Sequence, residues 1–584
     1  MKFPSFQRTV DAIQKTVSRF PLETFTAITG TIIAMFLAEE SNDNLENLYN
    51  KILLSCSLCF VLFLSISLYF TRNKKDNLIR FISSLALGTI IILFVFNFSD
   101  KIKQTEFFQF FTLNIALHLL VSFAAFLNKK YNQDHFWEFN KQLFIRILTA
   151  VLYSIVLYSG LALALLAVHN LFNIELYDKI YFHLFLFIAG TFNSIFFLSG
   201  ISETNNPSET LELKYPEGLK KFTQYVLIPL ISIYLVILIG YELKIVLSFS
   251  LPVGWVSNLI LVFAVFGILS LLLIHPIAHQ AENVWIRTFN KWFYYLLVPL
   301  LVLLYWAILY RIQLYGITHE RYYVLALSIW LTLLVLYFII KKEPKIMFIP
   351  ISMSLIALCT IIGPQSANSV SKNSQLNRLE NYLSKKDKTK LTFEQEQDLS
   401  SIIDFLVKNY DVKILLPLTD KKLDALVRKD KNPSSTQIMK ALGYHYRSQY
   451  DRRDDENIYY SHYENEGQLV ENIHDYDLSF NLSNNSTLNC SDCVTINQKK
   501  YSLLSTNTED GIDLQINNDI IPLKTEAFII DNIHFNSNSN EKIIQKIENS
   551  KYKLQLTYTY VYVNKTNKKP IVNSYNVKVL LKIK

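Results

Sequence analysis

Eleven apolar runs crowded into the first 363 residues constrain this chain more than any other feature. They occupy roughly 22–38, 52–70, 81–98, 108–127, 144–168, 180–200, 223–248, 256–274, 293–310, 322–340 and 346–363. Crossing a hydrocarbon core of about 30 Å takes about 20 residues at 1.5 Å each, and each run is long enough. A soluble fold can bury one such run as a core helix, but it has no use for eleven. Charged residues make up 18% of the 584, against the usual quarter, and apolar runs are nearly absent after residue 363. Residues 1–364 are therefore expected to form an α-helical polytopic membrane domain of about 11 transmembrane helices. Lys2, Arg8, Lys15 and Arg19 precede the first run as in a signal peptide, but no small-x-small cleavage site stands before Glu39, so an uncleaved first helix is expected.

Orientation follows from Lys and Arg in the short loops. The N-terminal segment carries four, and the even loops carry Arg72, Lys74, Lys75 and Arg80, then Lys129, Lys130 and Lys141, then Lys214, Lys220 and Lys221, then Arg287 and Lys291, then Lys341, Lys342 and Lys345. The odd loops are poorer. This bias places the N-terminus in the cytoplasm and, after eleven crossings, the C-terminal third outside. It also accounts for most of the net charge of +8, so no nucleic-acid partner is implied.

After Gly363-Pro364 the text turns polar. An outer helical segment is expected over 365–445, with helices at 374–386, 393–409 and about 435–443. An outer β-rich domain follows over 446–584, with period-two strands at 476–482, 494–504, 512–516, 526–534, 551–563 and 571–583. The whole is a soluble α+β domain with a mainly antiparallel, sandwich-type β part. In the strand Thr557–Val563, Tyr558, Tyr560 and Tyr562 fall on one face. Cys490-Ser491-Asp492-Cys493 fits a redox dithiol, half a zinc site or a local disulfide. No second C-x-x-C or His pair stands nearby, and an oxidising outer compartment favours a disulfide between Cys490 and Cys493.

Few polar groups lie at membrane depth. His118 with Asn114, and His183 with Asn193, read as interhelical hydrogen-bond partners. His275 and His279 stand four apart, but Pro276 separates them and no third ligand is evident, so no metal or cofactor is expected. Phe222-x-x-Tyr225-x-Leu227-x-Pro229-Leu230 recurs as Trp292-x-x-Tyr295-x-Leu297-x-Pro299-Leu300, which points to two copies of one helical hairpin, each with a proline in a span. If the copies are real, their outer ends bring Lys244, Trp255, Arg311, Tyr315, Glu320 and Arg321 together. Arg forks match phosphate oxygens, so this group is a candidate for an anionic headgroup or phosphate; interfacial anchoring by Trp, Tyr and Arg is the simpler reading.

The same residues carry a family resemblance. Arg311-Ile312-x-x-Tyr315-Gly316-x-Thr318-x-Glu320-Arg321-Tyr322, Pro252-x-Gly254-Trp255-Val256-Ser257, and the run from Gly363-Pro364 through Gln375-x-x-Arg378-Leu379 resemble an uncharacterised bacterial membrane family known as domain of unknown function 4153. Arg19-Phe20-Pro21 is similar too. The resemblance covers about residues 1–445. It implies a bacterial inner-membrane protein and no activity.

Three functions follow. The absence of nucleotide, metalloprotease and nucleophile-elbow motifs favours a non-enzymatic scaffold or binding protein. It would touch membrane lipids and present its outer domain to an envelope protein or glycan. A secondary transporter needs a midplane cavity near Pro229 and Pro299. An enzyme resembling lipid-linked glycosyltransferases needs an outer cleft with Glu39, Glu40 or Asp43 in a first loop of about 13 residues.

Overall fold

A computed structural model describes residues 6–73, 75–127, 131–201, 215, 217–248, 256–277, 284–384, 391–419, 422–430, 433–451, 457–461, 473–532, 543–564 and 570–584. The chain divides into two compact units, Met1–Lys390 with Asp398–Tyr446, and Leu391–Gln397 with Arg447–Lys584.

The first unit opens on α1 (Phe6–Arg19). Ten helices among the described residues are long and apolar enough to cross a membrane: Pro21–Glu39 (α2), Asp43–Arg72 (α3), Asn77–Phe96 (α4), Gln104–Ala124 (α5), Gln133–Phe172 (α6), Ile180–Ser199 (α7), Lys220–Ser248 (α8), Val256–Ile277 (α9), Thr288–Tyr315 (α10) and His319–Ile340 (α11). Phe348–Ile361 (α12) is a shorter apolar helix, about 21 Å long at 1.5 Å per residue. It starts where α11 finishes, with the Ile346 amide donating to Gln133 Oε1 at 3.0 Å. Halfway along, the Ser354 hydroxyl donates to the Ala116 carbonyl of α5 at 3.0 Å. Just past its end, Gln365 accepts a hydrogen bond from Tyr322, in the first turn of α11. So α12 runs back alongside α11.

Composition dictates which faces pack. The exposed face of α6 shows Phe144, Leu148, Leu152, Ile155 and Val156, each at least half exposed, which only an apolar solvent accommodates. The membrane helices make two cores. One joins α3 to α4, α5 and the start of α6 through Leu58, Phe63, Val95, Leu117 and Phe136, and the other joins α8 to α11 through Ile228, Ile260, Phe293, Leu297 and Leu334. Small residues permit the closest approaches. A Cβ on Gly267 of α9 would meet the Phe293 ring at 2.2 Å, and one on Gly190 would meet Thr31 Oγ1 of α2 at 2.2 Å. Gly190 lies in a π-helical turn, Phe187–Phe192, inside α7.

The two copies of the repeated sequence face alike. Phe222 and Trp292, and Tyr225 and Tyr295, point outward, while Leu297 is buried and Leu227 packs against the same core. Pro229 and Pro299 are both exposed, and Ile228, Ile231, Leu297 and Leu300 fill the interior beside them.

Four helices complete this unit: Ala367–Leu383 (α13), Phe393–Asn409 (α14), whose first turn belongs to the second unit, Asp424–Lys429 (α15) and Ser435–Leu442 (α16). The Ser366 hydroxyl caps α13 by accepting from the Ser369 amide. Seven residues separate this start from the expected 374, because Asn368, Ser369 and Ser371 are weak helix formers held by packing instead. Ser434 and Gln437 form a capping box on α16, which ends at Gly443 with φ +90°.

The second unit holds β1 (Asn457–Ser461), β2 (Leu478–Ser483), β3 (Asn489–Ile496), β4 (Lys499–Thr508), β5 (Gly511–Ile516), β6 (Asp519–Pro522), α17 (Thr525–Asp531), β7 (Ile543–Glu548), β8 (Tyr552–Asn564) and β9 (Ile571–Ile583). One antiparallel sheet runs β1-β8-β9-β2 with β7 also on β8, and the other runs β3-β4-β5-β6. Their inner faces share one core, with Leu514 and Ile516 from one sheet and Leu556, Tyr558 and Val579 from the other. Three local expectations change. The strand expected at 494–504 is two strands joined at Asn497-Gln498, whose φ angles of 51° and 65° make a tight hairpin turn. The strand expected at 526–534 is α17, where Glu526 and Ala527 favour helix and Phe528 stacks on Tyr558 at 5.4 Å. The three tyrosines of β8 do not share a face, because the register shifts between Tyr558 and Tyr560. Tyr558 points into the core while Val561 and Val563 take its place further on, as a bulge requires.

Candidate functional site

Residues of alternate loops meet at opposite ends of the helical bundle. Gln133, His275, Lys291 and Lys341 line one cavity, all at the Lys-rich ends of the helices and the turns beside them. Ser99, Lys103, Asn368 and Tyr410 line another, from the opposite set. At this second end stands the group expected around Arg311–Tyr322.

The C-terminus of α10 leaves carbonyls that need donors, and a cation is favoured there. Gly316 turns the chain at φ +67°, a conformation glycine adopts without penalty. Around it the Arg321 guanidinium donates to the carbonyls of Tyr315 (3.0 Å) and Gly316 (2.9 Å) and lies 5.2 Å from the Tyr315 ring. From α13, the Gln375 amide donates to the Tyr315 and Ile317 carbonyls at 3.1 Å each, and Ser374 Oγ accepts from the Ile317 amide at 2.9 Å. Arg378 donates to Tyr315 O at 2.6 Å and to both carboxylate oxygens of Asp398 at 2.7 and 2.6 Å. The Tyr382 hydroxyl also donates to Asp398 at 2.8 Å, and burial, then this bond, pushes its phenol up to about 12. The turn after α10 is thus a joint clamped by α13 and α14.

A buried histidine completes it. His319 is 2% exposed, stacked 5.2 Å from Phe405 and 6.1 Å from Phe108. The Tyr410 hydroxyl lies 3.2 Å from His319 Nε2 and donates to Asn368 O at 3.0 Å. Burial raises the Tyr410 phenol. Glu320 accepts from Gln104 at 3.2 Å.

Of the residues expected at this site, Arg311, Tyr315, Glu320 and Arg321 come together. Lys244 has no hydrogen bond or ion pair to them among the described residues. Trp255 lies outside the described residues, as do Pro252, Gly254 and His279. Sequence reasoning passed over His319 and Asp398, and took Gln375 and Arg378 as marks of a family without seeing what they clamp.

The first-loop acids are also engaged. The loop between α2 and α3 is Glu40-Ser41-Asn42, far shorter than expected. Glu39 Oε1 lies 2.8 Å from His183 Nε2, and its other oxygen accepts from Tyr177 and, at 3.3 Å, from Lys179. The bond to Glu39 raises the Tyr177 phenol. Glu40 accepts from the amides of Ser41 and Asn42, and Asp43 begins α3.

On the side of the bundle, His118 of α5, Asn140 of α6 and Asn193 of α7 line an open cavity of about 450 Å³. The His118 and Asn193 singled out from sequence thus share one space, with Asn193 also 3.3 Å from Ser154. Glu23, which sequence reading overlooked at the start of the first run, is 1% exposed on α2 and accepts from Ser67 at 2.5 Å. In the second unit, Cys490 and Cys493 are joined as a disulfide.

Comparison with known proteins gives a family for the helical unit. A family described as domain of unknown function (DUF4153) matches residues 25–391. The chain belongs to this family. The matched residues run from α2 through α13 and include Tyr315–Arg321 and Gln375–Arg378, while Asp398 lies beyond them. An uncharacterised protein of Pasteurella multocida (strain Pm70) is 26% identical over 357 residues, 60% of this chain and 58% of the relative. The chain therefore matches little more than half the length of that relative. No solved structure matches the chain.

Proposed function

We propose that this DUF4153 protein is a non-enzymatic scaffold of a bacterial inner membrane that presents its β-rich unit on the periplasmic face to an envelope protein or glycan. The observation that carries the reading is the joint. A site for turnover needs polar groups left over for a substrate, whereas Arg321, Gln375 and Arg378 donate to backbone carbonyls and Asp398. The candidate acids Glu39 and Glu40 are likewise held by neighbours. What these bonds achieve is a fixed platform of α13 and α14 after α12, which we read as the eleventh crossing, and residues 447–584 follow that platform in sequence.

Orientation rests on the Lys and Arg of the even loops. The N-terminus is then cytoplasmic, and an odd number of crossings puts α13 outside. Arg311 and Lys244 make no ion pair among the described residues and are available to an anionic headgroup at this face. The test is protease treatment of spheroplasts. Cleavage after residue 446 while the inner membrane is intact, leaving a membrane-bound fragment of the first unit, is the expected result. Cleavage there only after the membrane is opened with detergent would remove the reading.

A further inference from the structure

The Lys-rich end of the bundle holds a cavity that none of these readings uses. It has a volume of about 650 Å³ and opens between the ends of α9 and α11 and the starts of α10 and α12, within the usual size of ligand pockets. Its rim carries Lys291, Lys341 and Lys342, all exposed, against the single carboxylate of Glu343. Three ammonium groups around one concavity give it a positive potential that attracts anions.

The depth of the cavity is apolar. Tyr294 and Phe338 stack there at 4.7 Å between ring centroids, and Leu271 and Ile349 line the same wall. The walls are held in place. Gln133 accepts from the Ile346 amide, Trp137 donates to the Leu272 carbonyl at 2.7 Å, and Tyr215 to the Leu273 carbonyl at 3.0 Å. Those last two bonds satisfy two carbonyls near the end of α9.

A cationic rim over an aromatic and aliphatic floor matches a phosphate group carried on a hydrocarbon chain. We infer that this cavity binds an anionic phospholipid of the Lys-rich leaflet, its phosphate among Lys291, Lys341 and Lys342 and an acyl chain against Tyr294, Phe338 and Ile349. Basic pockets between membrane helices commonly serve this purpose. Scattered lysines at span ends would anchor a helix without any cavity. Here Lys291 comes from the first turn of α10, Lys341 and Lys342 from the loop after α11, and all three share one pocket with a hydrophobic floor. The inference depends on which end is Lys-rich and not on which side of the membrane that end faces.

The test is native mass spectrometry of the full chain in detergent, titrated with phosphatidylglycerol and with phosphatidylcholine. Each Lys near an anionic headgroup is worth about a factor of five, so the triple variant Lys291→Gln/Lys341→Gln/Lys342→Gln should lose about 100-fold in phosphatidylglycerol affinity. A control of equal charge change, Lys75→Gln/Lys220→Gln/Lys221→Gln, should change it about twofold or less. Ile349→Trp, which fills the floor while leaving every charge, should also weaken phosphatidylglycerol binding. Equal loss in the control, or binding kept in the triple variant, overturns the site. Inorganic phosphate forms the second arm. Competition by phosphate alone at the lipid's own concentration, with Ile349→Trp without effect, would assign the rim to a free phosphate and overturn the lipid.

Discussion

Replacing Arg378 by Met isolates the joint between α10 and α13. The side chain is 20% exposed and its partner Asp398 is 23% exposed. Breaking a fully buried ion pair by removing one member costs about 3–5 kcal/mol, whereas an exposed pair is worth about 0–1 kcal/mol. A pair one-fifth exposed falls between, at about 2 kcal/mol. Tyr315 O would keep its donors Arg321 and Gln375, and Leu314 O would lose only a long bond of 3.3 Å at an exposed position, so the lost backbone cap adds little. Asp398 would keep the Tyr382 hydroxyl but lose its counter-charge. A local destabilisation of about 2 kcal/mol speeds amide exchange through opening by about 30-fold. Hydrogen exchange of peptides from Ala367–Leu383, measured on the full chain in nanodiscs, is the assay. The double variant Arg378→Met/Asp398→Leu, which removes the stranded carboxylate, should recover about half of that protection. A rise below threefold in the single variant, or a double variant as loose as the single, would refute the account of how α13 is held.

Other perturbations test separate parts. Gly316→Ala would place a Cβ 2.6 Å from Arg378 Cδ at φ +67°, so thermal unfolding in detergent should show a loss of about 1–3 kcal/mol, and an unchanged melting temperature would contradict the clamp. Gly190→Ala meets Thr31 Oγ1 at 2.2 Å, and the same melt should show it destabilised and partly rescued by Thr31→Ala. In the β unit, hydrogen bonds from Lys551 and then Tyr552 hold the Asp519 carboxyl below its ordinary value. A carboxyl lowered in the folded state stabilises above the unfolded value, near pH 4, and that contribution fades as pH falls below it. The wild type should therefore lose more melting temperature between pH 6 and pH 3 than Asp519→Asn does, by circular dichroism of the β unit in the full chain.

Sequence carried the architecture because bilayer thickness imposes a length that soluble folds do not repeat. Even α12, only fourteen residues long, was legible, since its flanks 346–363 continue the apolar run. Local β structure was less legible. A one-residue bulge after Tyr558 inverts the side-chain alternation, and nothing in Thr-Tyr-Thr-Tyr-Val-Tyr-Val marks where it falls. The stretch Glu526–Ile530 has apolar residues that suit either period, and the stacking of Phe528 on Tyr558 decides for helix. Within the candidate site, Arg311, Tyr315, Glu320 and Arg321 are close in sequence and were expected together. Gln375, Arg378 and Asp398 meet them across 54 residues or more, a pairing that no single-sequence periodicity reports. Glu23 was hidden for another reason: an acid in the first turn of a helix is ordinary, and only its 1% exposure sets it apart.

The central claim is that the platform after α12 lies outside while the Lys-rich end faces the cytoplasm. Single cysteines at Thr318, at Thr506 in β4 and at Glu343 in the Lys-rich tenth loop, each in a variant lacking the five native cysteines, test it directly. The label is a maleimide that cannot cross the inner membrane, applied to intact cells. The account predicts labelling at positions 318 and 506 and none at 343 until the membrane is opened. Labelling at 343 with protection at 506 would reverse the orientation and with it the proposed role of the β unit.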